Sequence, residues 1–385
     1  MSHKLSLIAL AIGTFALGIA EFSMMGILSD VSEDLHIPVS TAGHLISAYS
    51  LGVAVGAPLL IIRRKLPLRK VLLILASVIA AGNTFAALAP EFYTLLCARF
   101  ISGLPHGAFF GCGSIVCTRL AAKGHGAAAV AVMIGGMTVA NVIGVPSATF
   151  ISNALAWRWA FALVALFGLA AVIAIRQWVP VLAPLPDTGM KGQFRFLRSS
   201  APWLIYGGVF FGQASVYCWL SYVSPIMTRI SGFTSADMTW IMMLIGVGMV
   251  VGNMIAGKLA DRYYPGMVSA SIAGILMAVM AATYFCVDYK AAALLLAFVA
   301  SAGLFGIGGP PQFLIVRFSK GGEMLGGAGI QIAFNVSNAF SAAIGGLAIH
   351  DGFGLASPAL IGVPFALIGM ICFLALHRKY KSQGA

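Results

Sequence analysis

Residues 5–28 read LSLIALAIGTFALGIAEFSMMGIL, an apolar run whose only ionisable side chain is Glu21. A helix rises about 1.5 Å per residue, so roughly 20 apolar residues cross a bilayer core about 30 Å thick. The run is longer than the apolar region of a secretory signal, which has about 7–15 residues. It therefore predicts a first membrane span that is not cleaved.

Eleven further apolar segments of similar length follow this run. The chain of 385 residues is 60% hydrophobic and only 9% charged, with a mean hydropathy of +0.97, whereas soluble domains carry about 25% charged residues. Because helices satisfy their own backbone in lipid, we predict an all-α membrane protein of twelve spans. The predicted spans begin near Leu5, Thr41, Val71, Phe92, Ala127, Trp159, Pro202, Met238, Val268, Ala291, Met324 and Ser357.

The basic residues indicate the orientation. With the N-terminus inside, 19 of the 23 Lys and Arg fall in cytoplasmic segments, and only Arg158, Arg229 and Lys290 fall outside. Cytoplasmic loops of membrane proteins carry such an excess, so we expect both termini to be cytoplasmic. The net charge of +12 does not indicate nucleic acid, because no basic helix interleaved with aromatic residues occurs. The six cysteines form no CxxC pair, so we expect no metal site, disulfide framework or cofactor.

A polar stretch in the middle of the chain divides it into two halves. Residues 180–200, PVLAPLPDTGMKGQFRFLRSS, are rich in Pro, Gly and basic side chains, as in a linker. We predict six-helix bundles at 1–180 and 201–385, joined by a cytoplasmic linker at 181–200. Gly52-Val-Ala-Val-Gly56 matches Gly248-Met-Val-Val-Gly252, and Thr138-Val-Ala-Asn141 matches Asn335-Val-Ser-Asn338, at offsets of 196 and 197 residues. Two matches at nearly one offset favour parallel internal repeats.

Very few ionisable residues fall inside predicted spans, and Glu21, Arg99 and His106 are three of them. Charges in the hydrocarbon region are costly, so each is a functional candidate. Glu21 and Arg99 lie at similar depths, and His106 follows Arg99 by nearly two helical turns. We predict that Glu21 changes protonation during a transport cycle, that Arg99 biases the pKa of Glu21, and that His106 lines the cavity or shares the proton. The alternative is a fixed Glu21–Arg99 pair, or two unrelated residues that reach outward.

Uncharged polar residues in the spans are candidates for binding a solute. Amides on one helix face, as at Gln331, Asn335 and Asn338, could grip hydroxyl groups, although such groups also hold helices together. The full predicted set is Asn141, Gln213, Tyr217, Trp219, Gln312, Gln331, Asn335 and Asn338.

Enzyme motifs are not found. Residues 252–258, GNMIAGK, have the glycine and lysine spacing of a phosphate-binding loop, but Leu259 follows where Ser or Thr is needed. No HExxH, GxSxG or paired-carboxylate motif occurs in a span, so we predict no enzyme and no catalytic residue. A passive channel would need pore-lining rings or a filter, and the sequence has neither.

Several motifs resemble those of twelve-span drug:proton antiporters of the major facilitator superfamily. They are residues 20–28 (AEFSMMGIL), 99–108 (RFISGLPHGA), 136–146 and 157–158 (WR). Residues 257–262 (GKLADR) are similar to the family's cytoplasmic gate loop, which implies gate roles for Gly257, Asp261 and Arg262. The strings GMTVAN, APWLI and KGGExLG look especially like the AraJ-type exporters, a sugar-exporter group.

The resemblance implies two pseudo-symmetric six-helix bundles, a solute site at mid-membrane, alternating access and coupling to protons through Arg99. It also implies a bacterial inner membrane. Two positions depart from the family pattern. Residues 61–67, IIRRKLP, lack the acid of the first gate loop, and the fifth span reads Gly144-Val-Pro146 rather than adjacent Gly-Pro.

We therefore expect a proton-coupled exporter of a sugar such as arabinose or a related compound. The alternatives are efflux of lipophilic drugs, a uniporter, a channel or a membrane-embedded enzyme. The expected partners are the solute, protons and the lipid bilayer, without nucleic acid, and we expect a monomer.

Overall fold

The structure is a computed structural model that describes residues 3–62, 66–121, 126–182, 194–319 and 323–380. This part of the chain is helical and contains no strand. The helices before residue 180 are α1 (His3–Gly26), α2 (Leu28–Asp34), α3 (Val39–Ile62), α4 (Leu68–Ala87), α5 (Phe92–Gly103), α6 (Pro105–Leu120), α7 (Gly126–Val139), α8 (Val145–Ala154) and α9 (Trp157–Trp178).

The helices after residue 194 follow the same order of long and short elements, except that one continuous helix takes the place of α7 and α8. They are α10 (Ser200–Leu220), α11 (Val223–Arg229), α12 (Met238–Arg262), α13 (Pro265–Cys286), α14 (Lys290–Gly306), α15 (Gly309–Phe318), α16 (Glu323–His350) and α17 (Ser357–Tyr380). The short helices α2 and α11, which the sequence did not predict, occupy matching places after the first and seventh long helices.

The all-α membrane fold is confirmed. Ten helical segments of the described residues are long and apolar enough to cross a bilayer. Helices α3 and α10, with 24 and 21 residues, have the length of the two further spans that complete the predicted twelve. Each predicted start lies within about three residues of the observed one, because the length of an apolar run sets the length of a span.

Three spans are interrupted near prolines. Helix α5 ends at Gly103 and α6 begins at Pro105, so one residue lies between them. A π-helix, Ala140–Gly144, joins α7 to α8 just before Pro146. Helices α14 and α15 are separated before Pro310. Proline has no N–H to donate and clashes with the preceding turn, so it breaks the regular hydrogen-bond ladder.

The chain folds into two compact units. Unit 1 comprises Met1–Ile37 and Ala48–Thr188, and unit 2 comprises Pro38–Ser47 and Gly189–Ala385. The first turns of α3 therefore group with unit 2, where the Ser47 hydroxyl donates to the Ala339 carbonyl at 2.8 Å. The predicted bundle boundaries stay a prediction, and residues 183–193 of the predicted linker lie outside the described residues.

The repeated glycines make equivalent helix contacts in the two units. In unit 1, a Cβ on Gly52 of α3 would overlap the carbonyl of Phe100 on α5. In unit 2, a Cβ on Gly248 of α12 would lie 2.8 Å from the carbonyl of Phe298 on α14. Small residues let helix backbones approach closely in lipid, so the repeat seen in the sequence marks a close helix contact in each unit.

Candidate functional site

Four helices of unit 1 bring together a cluster of buried ionisable side chains. Glu21 comes from α1, Tyr49 from α3, Arg99 from α5 and His106 from α6, and none is more than 2% exposed. Glu21, Arg99 and His106 are the three residues that the sequence singled out. Their role in proton coupling stays a prediction.

His106 lies between Tyr49 and Glu21. Its Nδ1 atom is 2.9 Å from the Tyr49 hydroxyl oxygen, and its Nε2 atom is 3.8 Å from Oε2 of Glu21. The imidazole stacks on the Phe110 ring, with ring centroids 5.2 Å apart and an interplanar angle of 20°. The two ring nitrogens therefore face two different polar partners.

Arg99 is held by the backbone of α1 and by aromatic rings. Its Nη1 atom donates to the carbonyl of Ala20, the residue next to Glu21, at 2.7 Å. Its guanidinium carbon lies 4.4 Å from the centroid of the Tyr49 ring and 5.5 Å from that of Phe161. Cation–π contacts of this kind are attractive, and more so when water is excluded. Arg99 is thus fixed at the level of Glu21.

The carboxyl group of Glu21 accepts no hydrogen bond from the described residues. Burying an ionised carboxylate without hydrogen bonds is costly, so such a group favours its neutral, protonated form. Moving the Nε2 atom of His106 about 1 Å closer would bring it within hydrogen-bond distance of this carboxyl. The geometry thus provides one group able to gain or lose a proton and a donor close to it.

Tyr49 is the member of this cluster that the sequence analysis missed. The sequence pointed to Tyr49 only indirectly, because Tyr49 lies three residues before Gly52, one of the repeated glycines. A Cβ on Gly103 of α5 would overlap the backbone carbonyl of Tyr49. The missing side chain at Gly103 allows α3 to reach α5 and brings the Tyr49 ring over Arg99.

Seven of the eight predicted solute-binding residues lie in unit 2, and Asn141 lies in unit 1. Asn141 is buried in the π-helix, and its Oδ1 has no hydrogen-bond partner in the described residues. Single π-helical turns occur often at functional sites. Asn141 is therefore the one predicted solute-binding residue that unit 1 contributes.

Helix α16 carries the predicted amide face. Asn335 donates to the carbonyl of Gln331 at 3.0 Å, and its Oδ1 is unpaired. Neither polar atom of the Asn338 side chain has a hydrogen-bond partner in the described residues, although Asn338 is fully buried. A buried amide without partners costs free energy, and a solute would supply the missing partners.

Helix α10 packs on α16 and carries three of the predicted residues. Gln213 donates to the Leu304 carbonyl at 3.4 Å, a long hydrogen bond. The Tyr217 ring meets the Phe334 ring edge-on, with centroids 5.3 Å apart. The indole Nε1 of Trp219 is buried and unpaired in the described residues. Gln312, on α15, is half-buried.

The predicted gate residues lie at the end of α12. Gly257 and Arg262 are exposed, and Arg262 lies over the Tyr263 ring at 5.8 Å. A Cβ on Gly257 would meet nothing within 4 Å. The side chain of Asp261 lies outside the described residues, so the gate stays a prediction.

The described residues contain no group of three or more His, Cys, Asp or Glu that could hold a metal ion. The six cysteines are free.

The fold and its buried polar sites are those of a multi-pass membrane transporter. The family profile described as Major Facilitator Superfamily matches residues 10–330, and the chain belongs to this family. It is 42% identical to AraJ of Escherichia coli (strain K12), over 99% of this chain and 97% of that protein. It is 33% identical to the inner membrane transport protein YdhP of the same strain, over 98% and 97%.

A further relative and a solved structure are also similar to this chain. It is 29% identical to a chloramphenicol resistance protein of Streptomyces lividans, over 87% of this chain and 86% of that protein. The fold matches the crystal structure of a bacterial homolog of the human lysosomal transporter Spinster in an inward-facing, unoccupied conformation. The TM-score is 0.75 at 14% identity, over 100% of this chain and 98% of that structure. Members of the family bind small-molecule substrates within the membrane.

Proposed function

We propose that the protein is a proton-coupled secondary transporter that exports a small solute, a sugar such as arabinose or a related compound, by alternating access. The observation that carries the proposal is the cluster of Glu21, Tyr49, Arg99 and His106 inside unit 1. A buried carboxyl that accepts no hydrogen bond, beside a fixed guanidinium, suits a site that is loaded and unloaded with a proton.

The substrate class rests on the amides of unit 2. Asn335, Asn338 and Gln213 each have a buried side-chain oxygen without a partner in the described residues. Neutral hydroxylated solutes need donors and acceptors rather than charges, so these amides fit a sugar or polyol. The resemblance to AraJ-type exporters supports the same class.

A second candidate function is efflux of lipophilic compounds. The chloramphenicol resistance protein of Streptomyces lividans, at 29% identity, favours it. A pair of aromatic contacts around the amides, Tyr217 with Phe334 and Phe305 with Phe334, would suit an apolar ligand as well.

The placement in the membrane is part of the proposal. The excess of Lys and Arg in alternate loops supports cytoplasmic termini, and the relatedness to YdhP supports a bacterial inner membrane. Residues Gly257, Asp261 and Arg262 would close the cytoplasmic side.

The test uses purified protein in liposomes with trapped pyranine, a pH indicator. Arabinose, other sugars or chloramphenicol are added under an imposed pH gradient, and the lumenal pH is recorded. We expect proton flux that depends on one solute class, that is lost in Glu21→Gln and that persists in Glu91→Gln, which changes an exposed glutamate of the same unit.

Exchange of labelled solute in Glu21→Gln distinguishes the outcomes. Exchange without proton flux is expected, because the neutral amide stays in one protonation state. Solute exchange without proton flux in the unmodified protein would make it a uniporter. Chemical alteration of a solute or lipid would contradict the transporter proposal.

A further inference from the structure

Tyr49 makes three contacts that a packing residue does not need. Its hydroxyl oxygen is 2.9 Å from Nδ1 of His106, its ring lies under the guanidinium of Arg99 at 4.4 Å, and the ring meets the His106 ring edge-on at 6.0 Å. One side chain therefore contacts both Arg99 and His106, the two basic residues next to Glu21.

The backbone fixes where the Tyr49 side chain can be. Helices α3 and α5 touch at backbone level, because neither Gly52 nor Gly103 has a Cβ to separate them. A Cβ on Gly103 would overlap the carbonyl of Tyr49, and a Cβ on Gly52 would overlap the carbonyl of Phe100. The phenol is thus placed by a helix contact that a larger residue at either glycine would push apart.

The direction of the Tyr49–His106 hydrogen bond follows from the available acceptors. The Tyr49 hydroxyl has two of them, Nδ1 of His106 at 2.9 Å and the carbonyl of Leu17 at 3.5 Å. Hydroxyl donors prefer distances of about 2.5–3.0 Å, so donation to Leu17 is weak. The phenol therefore donates to Nδ1, and a neutral imidazole must then carry its proton on Nε2.

This tautomer presents a donor to Glu21. Nε2 lies 3.8 Å from Oε2 of Glu21, and the stacking of His106 on Phe110 opposes a flip of the ring. With the other tautomer, the lone pair of Nε2 would face the carboxylate and would repel it. The position of one proton on His106 thus decides whether His106 stabilises or disfavours the ionised Glu21.

We propose that Tyr49 is a positioning residue that holds His106 as the Nε2–H tautomer, so that His106 donates a hydrogen bond to Glu21 when the carboxyl loses its proton. The step moves one proton from the Glu21 carboxyl to water, while the proton on Nε2 stays on His106. The role of Glu21 in transport rests on the proposed function; the tautomer of His106 does not.

In the described part of the chain, the ionisable side chains that interact with Glu21 are Tyr49 from α3, Arg99 from α5 and His106 from α6. Helices α7 and α8 and the π-helix between them contain no Asp, Glu, Lys, Arg, His or Tyr. The charged residues of α4 and α9 lie in their terminal turns. A change in pH dependence after substitution of Tyr49 can therefore be traced to this cluster.

Nitrogen-15 NMR of histidine-labelled protein in bilayers reads the tautomer directly. The chain has seven histidines, and a His106→Gln sample identifies the signals of His106 by their loss. We expect a protonated Nε2 and an unprotonated, hydrogen-bonded Nδ1 in the unmodified protein. We expect Tyr49→Phe, which keeps the ring under Arg99, to give a mixture of tautomers. A protonated Nδ1 in the unmodified protein would overturn the proposal without any variant at position 49.

A transport assay on the Tyr49→Phe variant tests whether the tautomer of His106 affects proton coupling. Without the phenol donor the ionised Glu21 loses part of its stabilisation, so we expect the pH profile of solute-driven proton flux to move upward by about half to one unit. Tyr206→Phe is the control, because it removes a half-buried hydroxyl that donates to the Gly326 carbonyl in unit 2. This variant should leave both the profile and the His106 signals unchanged. An unchanged profile in Tyr49→Phe would contradict the positioning role. If no solute drives proton flux, the proposed function fails while the NMR result still decides the tautomer.

Discussion

The two units share a backbone plan and differ in their chemistry. In both, repeated glycines press one helix against the carbonyls of another, at Phe100 in unit 1 and at Phe298 in unit 2. Counted from these matched carbonyls, the positions equivalent to Arg99 and His106 are Ala297 and Leu304. The charges therefore belong to one copy of the repeat only.

This difference fits the proposed function, in which the proton binds in unit 1 and the solute contacts the amides of unit 2. Unit 1 surrounds Glu21 with an arginine, a histidine and a tyrosine, whereas unit 2 has buried amides in α10 and α16. The Leu304 carbonyl, at the place of His106, accepts a hydrogen bond from Gln213. A repeat with charges suits the proton, and a repeat with neutral amides suits an uncharged solute.

The largest effect is expected at the glycines that the units share. A methyl group at Gly56 or at its repeat partner Gly252 would overlap the backbone carbonyl of Leu104 or Ala302, so the helices must separate. Overpacking of this kind typically costs about 1–3 kcal/mol. We expect Gly56→Ala and Gly252→Ala to lower the yield of monodisperse protein and its thermal midpoint in detergent to a similar degree.

Gly135→Ala is the control, because a Cβ there meets nothing within 4 Å. It should be neutral or stabilising by up to about 1 kcal/mol, as alanine favours helix more than glycine does. If only one unit tolerated alanine at its repeated glycine, the two helix contacts would not be equivalent.

A smaller effect is expected at Asn338, which lies on the amide face of α16 and has the same place in the repeat as Asn141. Its amide is buried without a partner in the described residues, so removing it with Asn338→Ala should not lower the thermal midpoint. Loss of one hydrogen bond to a solute should weaken apparent affinity about tenfold, which corresponds to about 1.4 kcal/mol. The pH profile of transport should not change, because no ionisable group is touched.

Asn83→Ala is the matched control for Asn338. Asn83 is a buried amide of unit 1 whose Nδ2 donates to the Ile79 carbonyl one turn earlier in α4. The Asn83→Ala variant should leave the affinity for solute unchanged. Equal loss of affinity in both variants would indicate a general packing defect, and the amide face of α16 would lose its role as a solute site.

The sequence predicted the helices better than the contacts between them. The starts of the spans follow from the lengths of apolar runs, and the repeat at Gly52 and Gly248 follows from identity at a fixed offset. The contacts of Tyr49 depend on the distance and rotation of α3 against α5, which no single helix encodes. The short helices α2 and α11 were missed because seven residues are too few for a periodic pattern to stand out.

The smallest effect is expected outside the spans, where each unit pairs an aspartate with a tryptophan. In unit 1, Asp34 accepts hydrogen bonds from Trp157 at 2.8 Å and from Arg158 at 2.6 Å, far away in the chain. In unit 2, Asp237 accepts from Trp240 at 3.1 Å and exchanges hydrogen bonds with Thr234 as in a capping box. The same group thus ties distant helices in unit 1 and a single turn in unit 2.

These contacts predict a difference in pH dependence. The hydrogen bond from Arg158 holds the pKa of Asp34 below its usual value of 3.8, so the ionised carboxylate stabilises the folded state above that pH. The stabilisation is lost as pH falls through the lowered value. Because the Asp34 side chain is 49% exposed, we expect Asp34→Asn to lower the free energy of unfolding by less than about 1 kcal/mol at neutral pH. This loss of stability should vanish in acid.

Asp237→Asn should lower the free energy of unfolding by a smaller amount at neutral pH, since it loosens only its own turn. Thermal unfolding of both variants across pH measures the comparison, and a larger deficit for Asp237→Asn would reverse it.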